Sequence, residues 1–307
     1  MQYTFEKMKI EELEETLSLV KRVFDEFEAP YYGQEGIENF YKFASYNNLK
    51  ELLKRNMQII VAKDKNKIIG MVAYRDNCHI SMLFVDKNYH KQGIASNLVK
   101  MAKFQCRENN MELQTITVNS SPYAVGFYYK LGFEDTNSEQ LVDGIRFTPM
   151  KLDVYNFKEY AEEYFEYLNQ VKKECFKGYV EKCYGEWNDD FQIKFFKDFI
   201  EKEKENIKLI EYKNKVIGLF TNSIDENNES VIGLLYIDKK YQGKGIGTQI
   251  LEEQLQKDKA NGRNTILRVF KENPARFLYQ RVGFEFSGET DFHYLMRHVL
   301  KLRSYNI

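Results

Sequence analysis

Two glycine-bearing turns hold the residues in this sequence best suited to chemistry. Gln242-Gly243-Lys244-Gly245-Ile246-Gly247, with Thr248 behind it, follows the apolar run 231–237. Between a strand and a helix, such a turn makes an anion site. Its backbone N–H groups converge, and the start of the helix adds partial positive charge. Glycine suits the task because a Cβ would block the approach of phosphate oxygens and because φ > 0 is cheap for it. Lys244 adds charge. The spacing matches neither a dinucleotide fingerprint nor a Walker loop. His90-Lys91-Gln92-Gly93-Ile94-Ala95 is a second copy, with His90 where Gln242 stands and Ala95 where Gly247 stands. A plain glycine-rich turn has the same composition, so the surroundings must decide.

The elements that would position these turns recur in both halves. Helical patterns are expected over 10–27 and 35–55, then over 158–177 and 190–203, the last pair following a helical start near Asn156. Strand pairs follow at 58–63 with 67–75, and at 207–212 with 215–222, joined by polar turns. A strand then ends in Leu83-Phe84-Val85 or Leu235-Tyr236-Ile237, directly before each glycine turn. A helix, another strand and a short helix carrying Tyr128 or Tyr279 close each half. Hairpins alternating with helices predict an α/β (α+β) fold with a mixed sheet.

The correspondence is a duplication. Segments 84–95 and 236–247 align without a gap. So do Phe127-Tyr128-Tyr129-Lys130-Leu131-Gly132-Phe133 with Leu278-Tyr279-Gln280-Arg281-Val282-Gly283-Phe284, and Lys67-Ile68-Ile69-Gly70 with Lys215-Val216-Ile217-Gly218. Order is kept and the offset stays near about 150 residues, which marks one domain present twice. The expected domains are 1–153 and 154–307. A chain of 307 residues suits two such cores.

Composition bounds the partners. The net charge of −1 gives no global pull toward nucleic acid or an anionic membrane. No apolar stretch is long enough to span a bilayer, and the N-terminus lacks the apolar core of a signal peptide. The expectation is a cytoplasmic protein with reduced thiols at Cys78, Cys106, Cys175 and Cys183, and no metal site, because no Cys/His cluster has ligand spacing.

The turn Gln242-Gly243-Lys244-Gly245 after a strand resembles the pyrophosphate loop of the GNAT superfamily of N-acetyltransferases. Asn273-Pro274-Ala275-Arg276-Phe277-Leu278-Tyr279 with Gly283-Phe284 resembles that family's cofactor-side motif. Val118-Asn119-Ser120-Ser121-Pro122-Tyr123-Ala124, with Tyr128 and Gly132-Phe133, is its counterpart in the first half. The resemblance covers about two-thirds of each half and is weakest in the leading helices. It implies two tandem GNAT-like domains, each a mixed, mostly antiparallel sheet flanked by helices, that bind acetyl-coenzyme A and transfer its acetyl group directly to an amine. The second domain is the fuller match.

The resemblance assigns roles residue by residue. Cofactor contacts fall on Phe84, Val85, His90, Lys91, Gln92, Gly93, Ile94, Ala95 and Asn119. In the second half they fall on Tyr236, Ile237, Gln242, Gly243, Lys244, Gly245, Ile246, Gly247, Thr248 and Asn273. Amides near Phe84-Val85 and Tyr236-Ile237 would polarise the thioester carbonyl. Tyr128 and Tyr279, as protonated phenols, would return a proton to the thiolate. A packed core tyrosine is the plainer reading of each. His79 suits a base near neutral pH, although a lone histidine is more often structural. Glu181, Tyr184, Trp187 and His293 resemble acceptor-side residues of one branch of the superfamily, and an amphipathic helical turn accounts for the first three equally well. A binding module without turnover, and transfer of a longer acyl or an aminoacyl group, stay open. So do the acceptor and dimerisation.

Overall fold

The computed structural model describes residues 3–110 and 112–300. The chain divides into two compact units, Met1–Val154 and Tyr155–Ile307. Among the described residues, no helix is long and apolar enough to cross a membrane.

In the first unit, β1 (Thr4–Lys7) leads into the helices α1 (Leu13–Phe27), α2 (Gln34–Phe43) and α3 (Tyr46–Arg55). The antiparallel strands β2 (Gln58–Asp64), β3 (Lys67–Arg75) and β4 (His79–Val85) follow. Then come α4 (Ile94–Asn109), β5 (Thr115–Ser120), α5 (Val125–Lys130), β6 (Glu134–Asp135), β7 (Gln140–Val142) and β8 (Ile145–Asp153). The sheet order is β1-β2-β3-β4-β5-β8-β6, with β7 hydrogen-bonded to β8. Only β4 and β5 run parallel.

The second unit repeats the plan. β9 (Asn156–Glu159) is followed by α6 (Phe165–Tyr184), α7 (Asp189–Glu203), β10 (Ile207–Tyr212), β11 (Lys215–Ile224) and β12 (Ser230–Ile237). It ends with α8 (Ile246–Ala260), β13 (Thr265–Phe270), α9 (Ala275–Arg281), β14 (Glu285–Glu289) and β15 (His293–His298). The order is β14-β15-β13-β12-β11-β10-β9, and the one parallel pair is β12 with β13. Both sheets are thus mixed and mostly antiparallel.

Each sheet is covered on both faces, so its central strands read as continuous apolar runs. Residues 59–63 and 68–74 are buried without a break. Leu19, Val20 and Phe24 of α1 and Leu49 of α3 pack on one face of the first sheet, and Leu98, Val99 and Ala102 of α4 on the other. In the second, Leu168 of α6 with Phe196 and Ile200 of α7 oppose Ile250, Leu251 and Leu255 of α8. Full burial of each such side chain contributes about 1.5–3 kcal/mol, so the sheet is a rigid platform for the loops at its strand ends.

Three expectations need correction. The helix expected over 35–55 is two helices. Ser45 turns the chain into extended backbone, its hydroxyl donates to the Lys42 carbonyl, and Asn48 Nδ2 donates to Phe43 O, so the break is hydrogen-bonded. The helical start near Asn156 is instead β9. It pairs with β10 over Asn156–Glu159, and Phe157 stacks on Phe220, so sheet pairing overrides the local pattern. Cys78 and Cys106, expected as free thiols, are joined by a disulfide with their Cα atoms 5.7 Å apart, because the last turns of α4 lie over the start of β4. Cys175 and Cys183 are free.

Candidate active site

Each parallel pair opens at its C-terminal end. β4 meets β5 only at His79–Thr117 and Ile80–Val118, and β12 meets β13 only at Ser230–Thr265 through Ile232–Leu267. Past those residues the strands part, and a wedge opens beside 83–85 and 234–237. The Asp86 amide donates to Ile69 O at 2.9 Å and the Asp238 amide to Ile217 O at 2.7 Å. Successive strand amides face opposite edges, so the amides of Val85 and Ile237 point into the wedges. Phe84 and Tyr236 turn theirs toward the neighbouring strand, which narrows the assigned pair in each half to one donor.

The glycine turns sit at the mouth of each wedge. Gly243 (φ +75°) and Gly245 (φ +77°) are left-handed, and a Cβ on either would point into open space. Gly245 caps α8, and the amides of Ile246, Gly247 and Thr248 have no partner inside the helix. Lys91 (φ 60°) and Gly93 (φ 78°) repeat that path ahead of α4. The first residue of each turn holds the bend in place. Gln242 Nε2 donates to Ile237 O at 2.7 Å, and His90 Nε2 donates to Val85 O at 2.8 Å. His90 therefore reproduces the bond of Gln242, which explains why an imidazole is tolerated. Both side chains act on the loop itself, whereas direct cofactor contact was expected. Gln92 likewise turns to the protein, accepting from the Tyr3 hydroxyl and donating to Asn88 O.

In the second unit these parts enclose one cavity of about 520 Å³. It is lined by Tyr236, Ile237, Gln242, Gly243, Gly245, Ile246, Gly247, Thr248, Asn273 and Tyr279, with Cys175 and Tyr179 of α6 opposite. Lys244 lies outside that lining. Asn273 Oδ1 accepts from the Ala275 amide and so starts α9, which presents Tyr279. Burial pushes the Tyr279 phenol up to about 12, which keeps it protonated at neutral pH. A cleft with helix-start amides at one end and a strand-edge donor at the other fits a carrier with a diphosphate and a thioester. The bend at Gly243 and Gly245, with the amides of Ile246, Gly247 and Thr248, would hold the diphosphate, and Ile237 would face the thioester.

The first unit differs. Its cavity of about 480 Å³ lies on the α1–α3 side and is lined by Phe84, Asn119, His79 and Tyr128, together with Glu28, Tyr32 and Phe40. Ile94 is buried in the core and Ala95 packs beside it. The α1–α2 segment adds a group that composition alone did not reveal. Burial raises the Glu28 carboxyl to about 7, with the Ser121 hydroxyl beside it working the other way. Tyr128 is raised first by burial and then by Glu28, so both share one space. His79 Nδ1 lies 2.9 Å from Thr117 Oγ1, and its pKa is lowered by burial and then by Arg75. Along the strand it stands about 16 Å from Phe84, too far for direct contact with an amine at the wedge.

Of the acceptor-side residues expected in the second unit, Trp187 is core. It is 8% exposed, its indole donates to Asp189, and Lys172 Nζ sits 5.4 Å from its ring. Glu181 pairs with Lys177 one helical turn away, Tyr184 is exposed against Phe292, and His293 packs on Phe270, which stacks on Tyr179. None of the four lines the 520 Å³ cavity.

The model of the acetyltransferase (GNAT) domain matches residues 28–154 and again 168–299. The chain belongs to the GNAT acetyltransferase family. The two matches are the two repeats. Over 80 residues the chain is 39% identical to the probable spermine N(1)-acetyltransferase of Bacillus subtilis subsp. natto (strain BEST195), a stretch that is 24% of this chain and 53% of that one. It is 38% identical over 80 residues, with the same coverage, to the spermine/spermidine N(1)-acetyltransferase of Bacillus subtilis (strain 168). The chain spans about half the length of these curated relatives. Among solved structures, a GCN5-related N-acetyltransferase from Rhodopseudomonas palustris aligns at 16% identity and a TM-score of 0.45, over 50% of this chain and 97% of the other.

Proposed function

We propose that this GNAT protein is an acetyl-coenzyme A-dependent N-acetyltransferase whose second domain carries the transfer to a primary amine. The observation that supports this most is the single 520 Å³ cavity lined at once by the Gly243–Gly245 bend, Ile237 and Tyr279. Bound acetyl-coenzyme A supplies a thioester acetyl group. The Ile237 amide donates to the carbonyl oxygen, where negative charge grows as the amine nitrogen bonds to carbon. The C–S bond breaks as the Tyr279 hydroxyl gives its proton to the leaving sulfur, and the nitrogen loses one proton to solvent or base.

The names of the two Bacillus relatives make spermine and spermidine the first acceptors to try. The test incubates the full chain with acetyl-coenzyme A and a panel of amines and follows free thiol. Release with at least one amine is expected. Cofactor binding by calorimetry with no release from any amine would overturn the reading in favour of a silent binding module.

A further inference from the structure

Toward its β1 edge, the sheet of the first unit stands clear of the last turns of α4. Met101, Gln105 and Asn109 are spaced four apart and form one stripe along that helix. The strands answer with Lys7, Ile60, Gln58 and Tyr74. Lys7 stands opposite Ile60 and Gln58 opposite Tyr74, and residues opposite one another share a face of the sheet. Between stripe and strands lies a cavity of about 370 Å³, lined by these residues and by Glu6. A second cavity of about 230 Å³ shares Gln58, Tyr74 and Asn109 with it. Gln105 is about 18 Å along α4 from Gly93, so this place is separate from the wedge.

The lining is polar and unengaged. Tyr74 is 4% exposed, its ring sunk in the core. Among the described residues, the side chains of Gln58, Tyr74, Gln105 and Asn109 have no hydrogen-bond partner. A phenol so deeply buried is normally bonded, and leaving it without a partner is unfavourable. Burial pushes it up to about 12, so its hydroxyl stays protonated and able to donate.

The second unit closes the same positions on themselves. Glu159 and Lys208, in register as Lys7 and Ile60 are, form an ion pair. Asn222 faces Ile232 as Tyr74 faces Ile80, but it donates to Ser230 Oγ and accepts from Gln254. Glu253 of α8, at the place of Met101, accepts from the Tyr155 hydroxyl. One copy of the fold satisfies this corner internally, and the other leaves it open.

The lining selects a ligand class. Carboxamides and a phenol set donors beside acceptors, which is what hydroxyl groups need. Ile60 and Met101 supply an apolar floor. Glu6 and Lys7 carry opposite charges, and Glu6 is already paired with Lys63, so no net charge favours an ion. We propose that this cavity of the first unit binds a neutral pyranose, with its hydroxyls on Gln58, Tyr74, Gln105 and Asn109 and its C–H face on Ile60 and Met101.

The test titrates the full chain with methyl α-D-glucopyranoside, methyl α-D-galactopyranoside and methyl α-D-mannopyranoside by saturation-transfer NMR, with cyclohexanol as a ring bearing a single hydroxyl. At least one glycoside is expected to bind, and cyclohexanol to bind at least tenfold more weakly. Tyr74→Phe removes one oxygen and keeps the buried ring, while Gln105→Ala changes an exposed helix position, so both variants keep the core. Each should weaken the glycoside about fivefold, the scale of one lost hydrogen bond. No transfer to any of the three glycosides, equal binding of cyclohexanol, or unchanged glycoside binding in both variants would overturn the proposal.

Discussion

Tyr279 and Tyr128 are 8% and 3% exposed, and burial holds both phenols protonated. Only Tyr279 lines the cavity that meets the glycine bend. Tyr279→Phe should therefore lower kcat about 10²–10⁴-fold, the range for a positioned acid, with the acetyl-coenzyme A Kd nearly unchanged. Single-turnover thiol release and calorimetry measure the two parts, and a variant as fast as wild type removes the acid role. Glu28 makes a pH prediction. Its carboxyl is raised from 4.5 to about 7 in the fold, so the folded state holds an extra proton between those values. Stability from this group is fully present below about pH 4.5 and is lost as pH rises through 7. Glu28→Gln lacks that titration. Melting curves from pH 4.5 to 8 should show the wild type losing on the order of 1–2 kcal/mol more than the variant, a figure discounted for partial exposure. Parallel curves would show that the carboxyl is solvated. Residue types revealed the tyrosines and the glycines because their chemistry is local. They did not reveal Glu28, which is an ordinary residue past a helix end until the fold brings it beside Tyr128.

Elements carry the second level. The strands, the glycine turns and the α4 and α8 helices were legible because each rests on a local signal: an apolar run, a positive-φ glycine or helical spacing. The leading helices were less legible. Their boundaries depend on a sheet strand, β9, fixed by its distant partner β10, and on a break at Ser45 held by hydrogen bonds to Lys42 and Phe43. The Trp187 segment misled for a related reason. Aromatics beside acids suit an acceptor wall, but here the indole fills the space between α6 and α7 and bonds Asp189. The contact between α2 and the β7–β8 hairpin gives an element-scale test. Gly36→Ala puts a methyl against the Gly144 carbonyl, and overpacking of this kind costs about 1–3 kcal/mol. A lower melting temperature is expected. An unshifted melt would mean that the hairpin is not seated on α2 in solution.

For the whole molecule, duplication gave one scaffold two different clefts. Both halves keep the left-handed glycine before a helix and the side-chain bond that pins the bend to its strand end. They differ in their cavities: the one in the first half lies beside Glu28 and Tyr32, and the one in the second meets the Gly243–Gly245 bend. The domain repeat was readable from ordered motifs at constant spacing, while this difference depends on a few side-chain positions. In the function proposed here, the Gly243–Gly245 bend holds the diphosphate of acetyl-coenzyme A. Titrating coenzyme A into the full chain and into Gly245→Glu, which puts bulk and negative charge into the open space beside the bend, tests this. Binding should fall at least 100-fold from wild type to variant, with the same loss of thiol release. Coenzyme A binding that survives unchanged in Gly245→Glu would contradict it.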